Sequence, residues 1–256
     1  MNQFAIEAGA VKAMMIAARV GAIFVFAPVF GGTAVSARIK AGLTLAITAL
    51  LFPLLPTPAF GLDSSQLAMA MLGEAALGLL AGLSLQLVLE AAQLAGHVAG
   101  FQMGFSLVNV IDPQSEVDTP VLSVLHGLIV TLIFLRLEVH HWLLRGVVKS
   151  FTWVPAGSVA MTGVVKGVLL KAGSAMWLAG VQMAAPVLLA TVVTDVALGL
   201  LGRASPQLPV LFVSLSVKNI VGALAMIGSL AFWPGLLERW FAAAMGAAEA
   251  ALRLGH

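Results

Sequence analysis

The sequence predicts an all-α, membrane-type fold of hydrophobic helical hairpins with kinked or broken helices, and three observations carry that prediction. Of 256 residues, 61% are hydrophobic and 9% charged, against about half and about a quarter in an ordinary soluble domain. Several apolar segments reach the roughly 20 residues that cross a bilayer as a helix. None shows the period-2 alternation of a membrane barrel, so helices are the remaining way to pair the backbone inside hydrocarbon.

No break in composition divides the chain, so 1–256 reads as one membrane domain. Cysteine is absent, which removes disulfides and thiolate metal sites. A formal charge of +2 is too small to attract nucleic acid. The first nine residues carry Glu7 and no Lys or Arg. They lack the basic region of a cleavable signal peptide, and the first apolar segment is expected to be retained.

That segment runs Ala13 to Ala37 and holds Arg19. A second, Ala41 to Leu62, is cut short by Pro53, Pro56 and Pro58, so its helix should stop near Phe52 after about 12 residues, too few to span. Asp63 and Gln66 have the spacing of a capping box and predict a helix start near Ser64. From there to Ile111 no proline or strong turn signal intervenes, which predicts a rod of roughly 65 to 70 Å. Thr119-Pro120 reads as an N-cap with proline at the first helical position. Further apolar runs are Thr119 to Leu135, Ala172 to Thr194 and Asn219 to Leu237, the last with a stop and restart at Trp233-Pro234. The positive-inside rule assigns Arg38, Lys40, Arg145, Lys149, Lys166 and Lys171 to the cytoplasmic side and Asp63 and the acidic turn Asp112 to Asp118 to the other.

The long third segment carries Glu74, Gly78, Gly82, Gln86, Glu90, Gln93, His97, Gly100 and Gly104 at steps of three or four, along one helical face. Lipid cannot satisfy carboxylates, so protein or water must cover this stripe. The glycines Gly78/Gly82 and Gly96/Gly100/Gly104 permit close backbone approach. One reading is a helix buried within this chain. The other, favoured because few long segments are available to cover so long a stripe, is packing between subunits. Arg19, Asp195 and Arg203 are expected to be buried charges. Lys12 with Arg19, and Asp195 with Gly199 and Arg203, share helix faces; they form ion pairs or an ion pathway.

No Ser/His/Asp set, phosphate loop or HExxH motif is present. Glu138, His140 and His141 offer metal-ligand atoms, but adjacent helical histidines point about 100° apart. Catalytic, cofactor and metal sites are therefore not expected, and the chain does not read as an enzyme. A small-solute permease is the rival from another class, predicting broken helices in two related halves.

One set of landmarks spans nearly the whole chain: Arg19 with Pro28, Gly31 and Arg38; Glu74 with Gly78 and Gly82; Gly96, Gln102, Gly104 and Asp112-Pro113; His140-His141; Ser150-Phe151 with Pro155 and Gly157; Pro186; Asp195 with Leu198-Gly199; and Arg203 with Pro206-Gln207 and Lys218. In order and spacing they resemble the FliR family of flagellar export-gate subunits, whose injectisome counterpart is the SctT family. The resemblance implies a channel-forming subunit in the inner membrane at the flagellar basal body, multi-pass, surrounded by lipid and passing unfolded export substrates. It implies FliP-like and FliQ-like partners in a helical ring and an FlhB-like subunit at the cytoplasmic side, with no nucleic acid. About 1–135 would form the ring and pore and about 136–256 would pack peripherally. Phe105, Val108, Asn109, Val110, Ile111, Asp112 and Pro113 would form a plug loop, the plain alternative being a surface turn. An injectisome gate subunit is the alternative within the family. The sequence departs from the family after Gln207, where Pro209, Ser214 and Ser216 replace the usual Asn, Gly and Pro. The following helix should then start nearer Leu208.

Overall fold

A computed structural model describes residues 2–32, 35–56, 64–105, 121–157, 164–205, 207 and 210–254. Among them the regular structure is helical throughout: α1 (Asn2–Phe26), α2 (Ala37–Leu51), α3 (Ser64–Met103), α4 (Val121–Arg136), α5 (Val139–Trp153), α6 (Val164–Ala204), α7 (Val210–Leu230) and α8 (Trp233–Leu254). Four of these helices contain stretches long and apolar enough to cross a membrane: Ile6–Phe26, Ser64–Met103, Gly167–Ala204 and Val213–Leu230. The pair α4 and α5, bent by 63°, makes a fifth if read as one broken span.

Most boundaries follow the local chemistry. α2 is capped at Phe52, whose N–H donates to the Thr48 carbonyl at 2.9 Å, just before Pro53. It begins at Ala37, four residues ahead of the apolar run, and its 15 residues extend about 22 Å, still short of a span. α3 starts at Ser64 as predicted; Asp63, the proposed cap, lies outside the described residues, as do Thr119 and Pro120 before α4. α7 begins at Val210, two residues after the expected start at Leu208, which is itself outside the described set with Pro206 and Pro209. Leu230 and Trp233 bracket the stop and restart. α6 runs unbroken through Pro186, which donates no N–H to the preceding turn.

The end of α3 corrects the sequence reading. The helix stops at Met103, eight residues before Ile111, after 40 residues or about 60 Å. Gly104 adopts φ 89°, its N–H donates to the Phe101 carbonyl at 3.1 Å, and the Phe105 N–H reaches the Gly100 carbonyl at 3.0 Å. These are the two bonds of a Schellman cap, which favours glycine because a side chain at positive φ is strained. Gly104→Ala is expected to cost about 1 kcal/mol, seen as a lower melting temperature of the solubilised protein, while Gly100→Ala shows no such loss.

Two compact units are present, and several helices contribute to both. The first comprises Met1–Leu87, Phe134–Ser174 and Trp240–His256. Its buried apolar residues include Met15, Ile16, Val20 and Ile23 of α1, Leu80 and Leu85 of α3, Leu143 and Val147 of α5, and Phe241 of α8. Phe134 and Phe241 meet edge to face at 5.4 Å. The second comprises Val88–Ile133 and Ala175–Arg239. Ala99 and Met103 of α3 pack there with Leu122 of α4 and Val187 of α6. The small Ala91, Ala92, Ala95 and Ala99 face of α3 is wholly buried, so neighbouring helices come close to the α3 backbone.

Candidate functional site

The buried centre of the first unit is a cation on α1. Arg19 and Glu74 are 1% and 0% exposed, and the guanidinium Nε donates to Glu74 Oε2. Nη1 donates to Ser150 Oγ at 3.1 Å and Nη2 to the Val154 carbonyl at 3.0 Å, 135 residues away in sequence. Phe151 stacks on the guanidinium with its ring centre 4.0 Å from Cζ. The other carboxylate oxygen of Glu74 accepts the Gly157 N–H at 2.8 Å, and Gly157 has φ 86°. Every arm of the fork is thus used, which is how a desolvated pair is tolerated at all. α1, α3, α5 and the turn after α5 are tied at one point.

The glycines of α3 hold that geometry. A Cβ on Gly78 would collide with the Arg19 carbonyl oxygen and stand 2.8 Å from the Ala22 Cβ. On Gly82 it would lie 2.9 Å from the Ile23 carbonyl oxygen. α1 therefore rests directly on the α3 backbone along two turns. Lys12, two turns from Arg19 on α1, is also spent inside the chain: its Nζ donates to the Leu55 carbonyl and sits 4.5 Å from the Phe52 ring centre. Both cations of this face are thus partnered within the chain.

In the second unit the close approach falls at Gly96, where a Cβ would lie 2.5 Å from the Leu122 carbonyl oxygen and 2.6 Å from Ser123 Cα. Ser123 Oγ donates to the Gln93 carbonyl at 2.9 Å beside it, and the Gln93 side chain covers Gly127. A Cβ on Gly180 of α6 would lie 2.8 Å from the Leu94 side chain, and one on Gly222 of α7 2.7 Å from the Met103 side chain, contacts that flexible side chains of α3 make. Asp195 of α6 accepts from Lys218 of α7 at 2.7 Å and from Gln102 of α3 at 3.4 Å.

The stripe predicted from sequence is therefore divided. Glu74, Gly78, Gly82 and Gly100 are covered by this chain's own helices, against the expectation that so few segments could not cover it. Gln86, Glu90 and Gln93 are half-buried and His97 is exposed. Gly104 ends the helix at positive φ. Two of the expected buried charges need correction as well. Arg203 is exposed and Asp195 retains 42% of its side-chain surface, because Asp195 takes its cation from α7 and leaves Arg203 without that role. Of the plug residues only Phe105 is described, half-exposed beyond the α3 cap; Val108, Asn109, Val110, Ile111, Asp112 and Pro113 lie outside the described residues.

Sequence reasoning missed the roles of Ser150, Phe151 and Gly157, which it recorded only as landmarks. A serine and a glycine carry no local sign of a partner more than 80 residues away. Gly96 was in view as part of a GxxxG run, but nothing in that spacing distinguishes it from Gly100, whose Cβ would sit at an ordinary 3.7 Å from Leu122. His141 Nδ1 lies 3.3 Å from Glu138. Among the described residues no three His, Asp or Glu side chains converge as a metal site.

Glycine seams, a buried ion pair and several apolar helices long enough to span a bilayer define a membrane-integral helical protein. Residues 10–244 match the bacterial export proteins, family 1. The chain is 32% identical to flagellar biosynthetic protein FliR of Escherichia coli strain K12 over 80% of its own length and 78% of that protein, and 32% identical to FliR of Bacillus subtilis strain 168 over 84% of each. It is 27% identical to FliR of Caulobacter vibrioides over 91% of its length and 95% of that protein. The chain belongs to this export family, and within it to the FliR flagellar biosynthetic proteins.

Proposed function

We propose that this chain is a structural, channel-forming subunit of the flagellar type III protein export gate in the bacterial inner membrane. One observation besides family membership carries the reading: the apolar faces of α6 and α7 are largely uncovered by the described residues. Within the apolar stretch of α7 only 6% of the residues are buried, and Leu189, Val193, Val196 and Leu200 of α6 and Ile220, Leu224 and Ile227 of α7 stand open. Contiguous apolar surface of this extent requires lipid or other helices.

On this reading FliP-like and FliQ-like subunits cover part of that surface in a helical ring, an FlhB-like subunit packs at the cytoplasmic side, and unfolded flagellar proteins pass through the centre. Residues 1–135 contribute to the ring and pore and 136–256 pack at its periphery. Gln86, Glu90 and His97, the outward half of the α3 stripe, meet neighbouring subunits, and 105–113 form the plug. The chain transforms no substrate. That its relatives are named as flagellar favours a flagellar gate over an injectisome.

Tagged protein purified from a mild detergent is expected to carry hydrophobic partners unrelated to it in sequence, identified by mass analysis. Recovery as a functional monomer or homo-oligomer would remove the gate-subunit reading. Deleting residues 110–116 is expected to leave the complex assembled but conducting small ions, measured as ion flux across cell or liposome membranes. An assembled, tight channel after that deletion would remove the plug.

A further inference from the structure

A cleft of about 340 Å³ opens between α5 and α8 in the first unit, lined by Trp142, Arg145 and Lys149 on one wall and Met245, Gly246 and Glu249 on the other. Its volume lies in the range of ordinary ligand pockets. We propose that this cleft seats the phosphate headgroup of an anionic phospholipid.

Trp142, Arg145 and Lys149 follow one another at steps of three and four and so share one face of α5. Both cations are exposed, and the ion pairs of the described residues involve neither of them. Two cations facing one carboxylate leave the cleft with a net charge of +1, the complement of a headgroup carrying a single negative charge. Glu249 on the opposite wall suits a headgroup that also offers hydroxyl donors, because its carboxylate only accepts hydrogen bonds. The α8 wall leaves room at Gly246, where a Cβ would meet nothing within 4 Å, while the two helices close on each other at Gly146, where a Cβ would lie 2.8 Å from Met245 Cε.

Both walls belong to amphipathic helices. α8 buries Trp233, Leu237, Phe241, Met245 and Ala248, and turns Glu238 and Arg239 outward. The opposite face of α5 is apolar, with Leu144, Val147 and Val148 lining a groove of about 250 Å³ with α1 and α2. Helices of this kind lie at the level of lipid headgroups. Trp142 fits there because tryptophan partitions to that level, and the positive-inside rule puts Arg145 and Lys149 on the cytoplasmic face, where basic pockets between helices take anionic headgroups. A soluble anion such as inorganic phosphate shares the chemistry, but it would gain nothing from the apolar surroundings. The proposal needs only that the chain is embedded in a membrane and does not depend on the export-gate reading.

The test uses the purified complex, with whatever partners it retains, in nanodiscs containing phosphatidylglycerol and phosphatidylethanolamine. Retained lipid is counted by native mass spectrometry. Preferential retention of phosphatidylglycerol is expected. Each basic side chain near an anionic surface is worth roughly fivefold in affinity, so the double variant Arg145→Gln, Lys149→Gln is expected to lower that preference at least about tenfold. Arg145→Lys, which keeps the charge, is expected to preserve it, separating charge from any packing defect. The proposal fails if the double variant retains the preference, if phosphatidylethanolamine is held equally, or if excess inorganic phosphate displaces the lipid. Loss of a protein subunit from the double variant with lipid unchanged would assign the cleft to that partner instead.

Discussion

Replacing Glu74 with alanine is expected to be the most damaging single polar substitution in this chain. It leaves the Arg19 guanidinium at 1% exposure without its counter-ion, and a buried charge deprived of its partner costs about 3–5 kcal/mol. Against a total stability of roughly 5–15 kcal/mol for a folded domain, a loss of that size depletes the folded protein. The measurements are steady-state level by immunoblot, melting temperature of the solubilised protein, and swimming. The double replacement Arg19→Met, Glu74→Leu is expected to recover a large part of the loss, because an apolar pair of similar volume avoids the desolvation cost. Recovery stays incomplete, since the Val154 carbonyl and Gly157 N–H lose their side-chain partners, each at about 1 kcal/mol or more. If Glu74→Ala behaves like a surface substitution, or the double variant is worse than the single, the ion pair is not what ties α1, α3 and α5 together.

Gly78→Ala is expected to follow closely, although it adds one methyl group. The new Cβ meets backbone and the Ala22 Cβ, with no flexible side chain to yield, so α1 must lift off α3. Overpacking of this kind costs typically about 1–3 kcal/mol. Here it also stretches the Arg19 to Glu74 bond one turn away. Gly100→Ala is the matched control on the same helix: its Cβ finds ordinary contact with the Leu122 side chain. It is expected to be neutral or stabilising by up to about 1 kcal/mol, the helix-propensity gain over glycine. Equal folded levels of the two variants at raised temperature would show that the helix seam is not the close contact described.

Much of the fold was legible because local rules set it. The prolines after Phe52 stop α2, the run without proline from Ser64 makes α3 long, and Trp233-Pro234 separates α7 from α8, each by backbone chemistry within a few residues. The α3 terminus was misplaced because apolar composition continues past Met103, and only the positive φ of Gly104 shows where the hydrogen-bond ladder closes. The candidate site was legible as residue types and no further. Arg19 and Glu74 were visible as charges that lipid could not satisfy, whereas their shared partners Ser150, Val154 and Gly157 were not.

The chain's own sequence determined that most of its surface belongs to lipid or other helices, that the backbone is paired in helices, and that carboxylates and glycines on α3 had to be covered. What covers them was decided only by the tertiary structure: α1 rests on Gly78 and Gly82, α4 on Gly96, while Asp195 chooses Lys218 and leaves Arg203 exposed. The reason is physical. Helix periodicity fixes which residues share a face, but several helices offer a carbonyl or a cation of the right kind, and the choice among them depends on distances that no one-dimensional spacing contains.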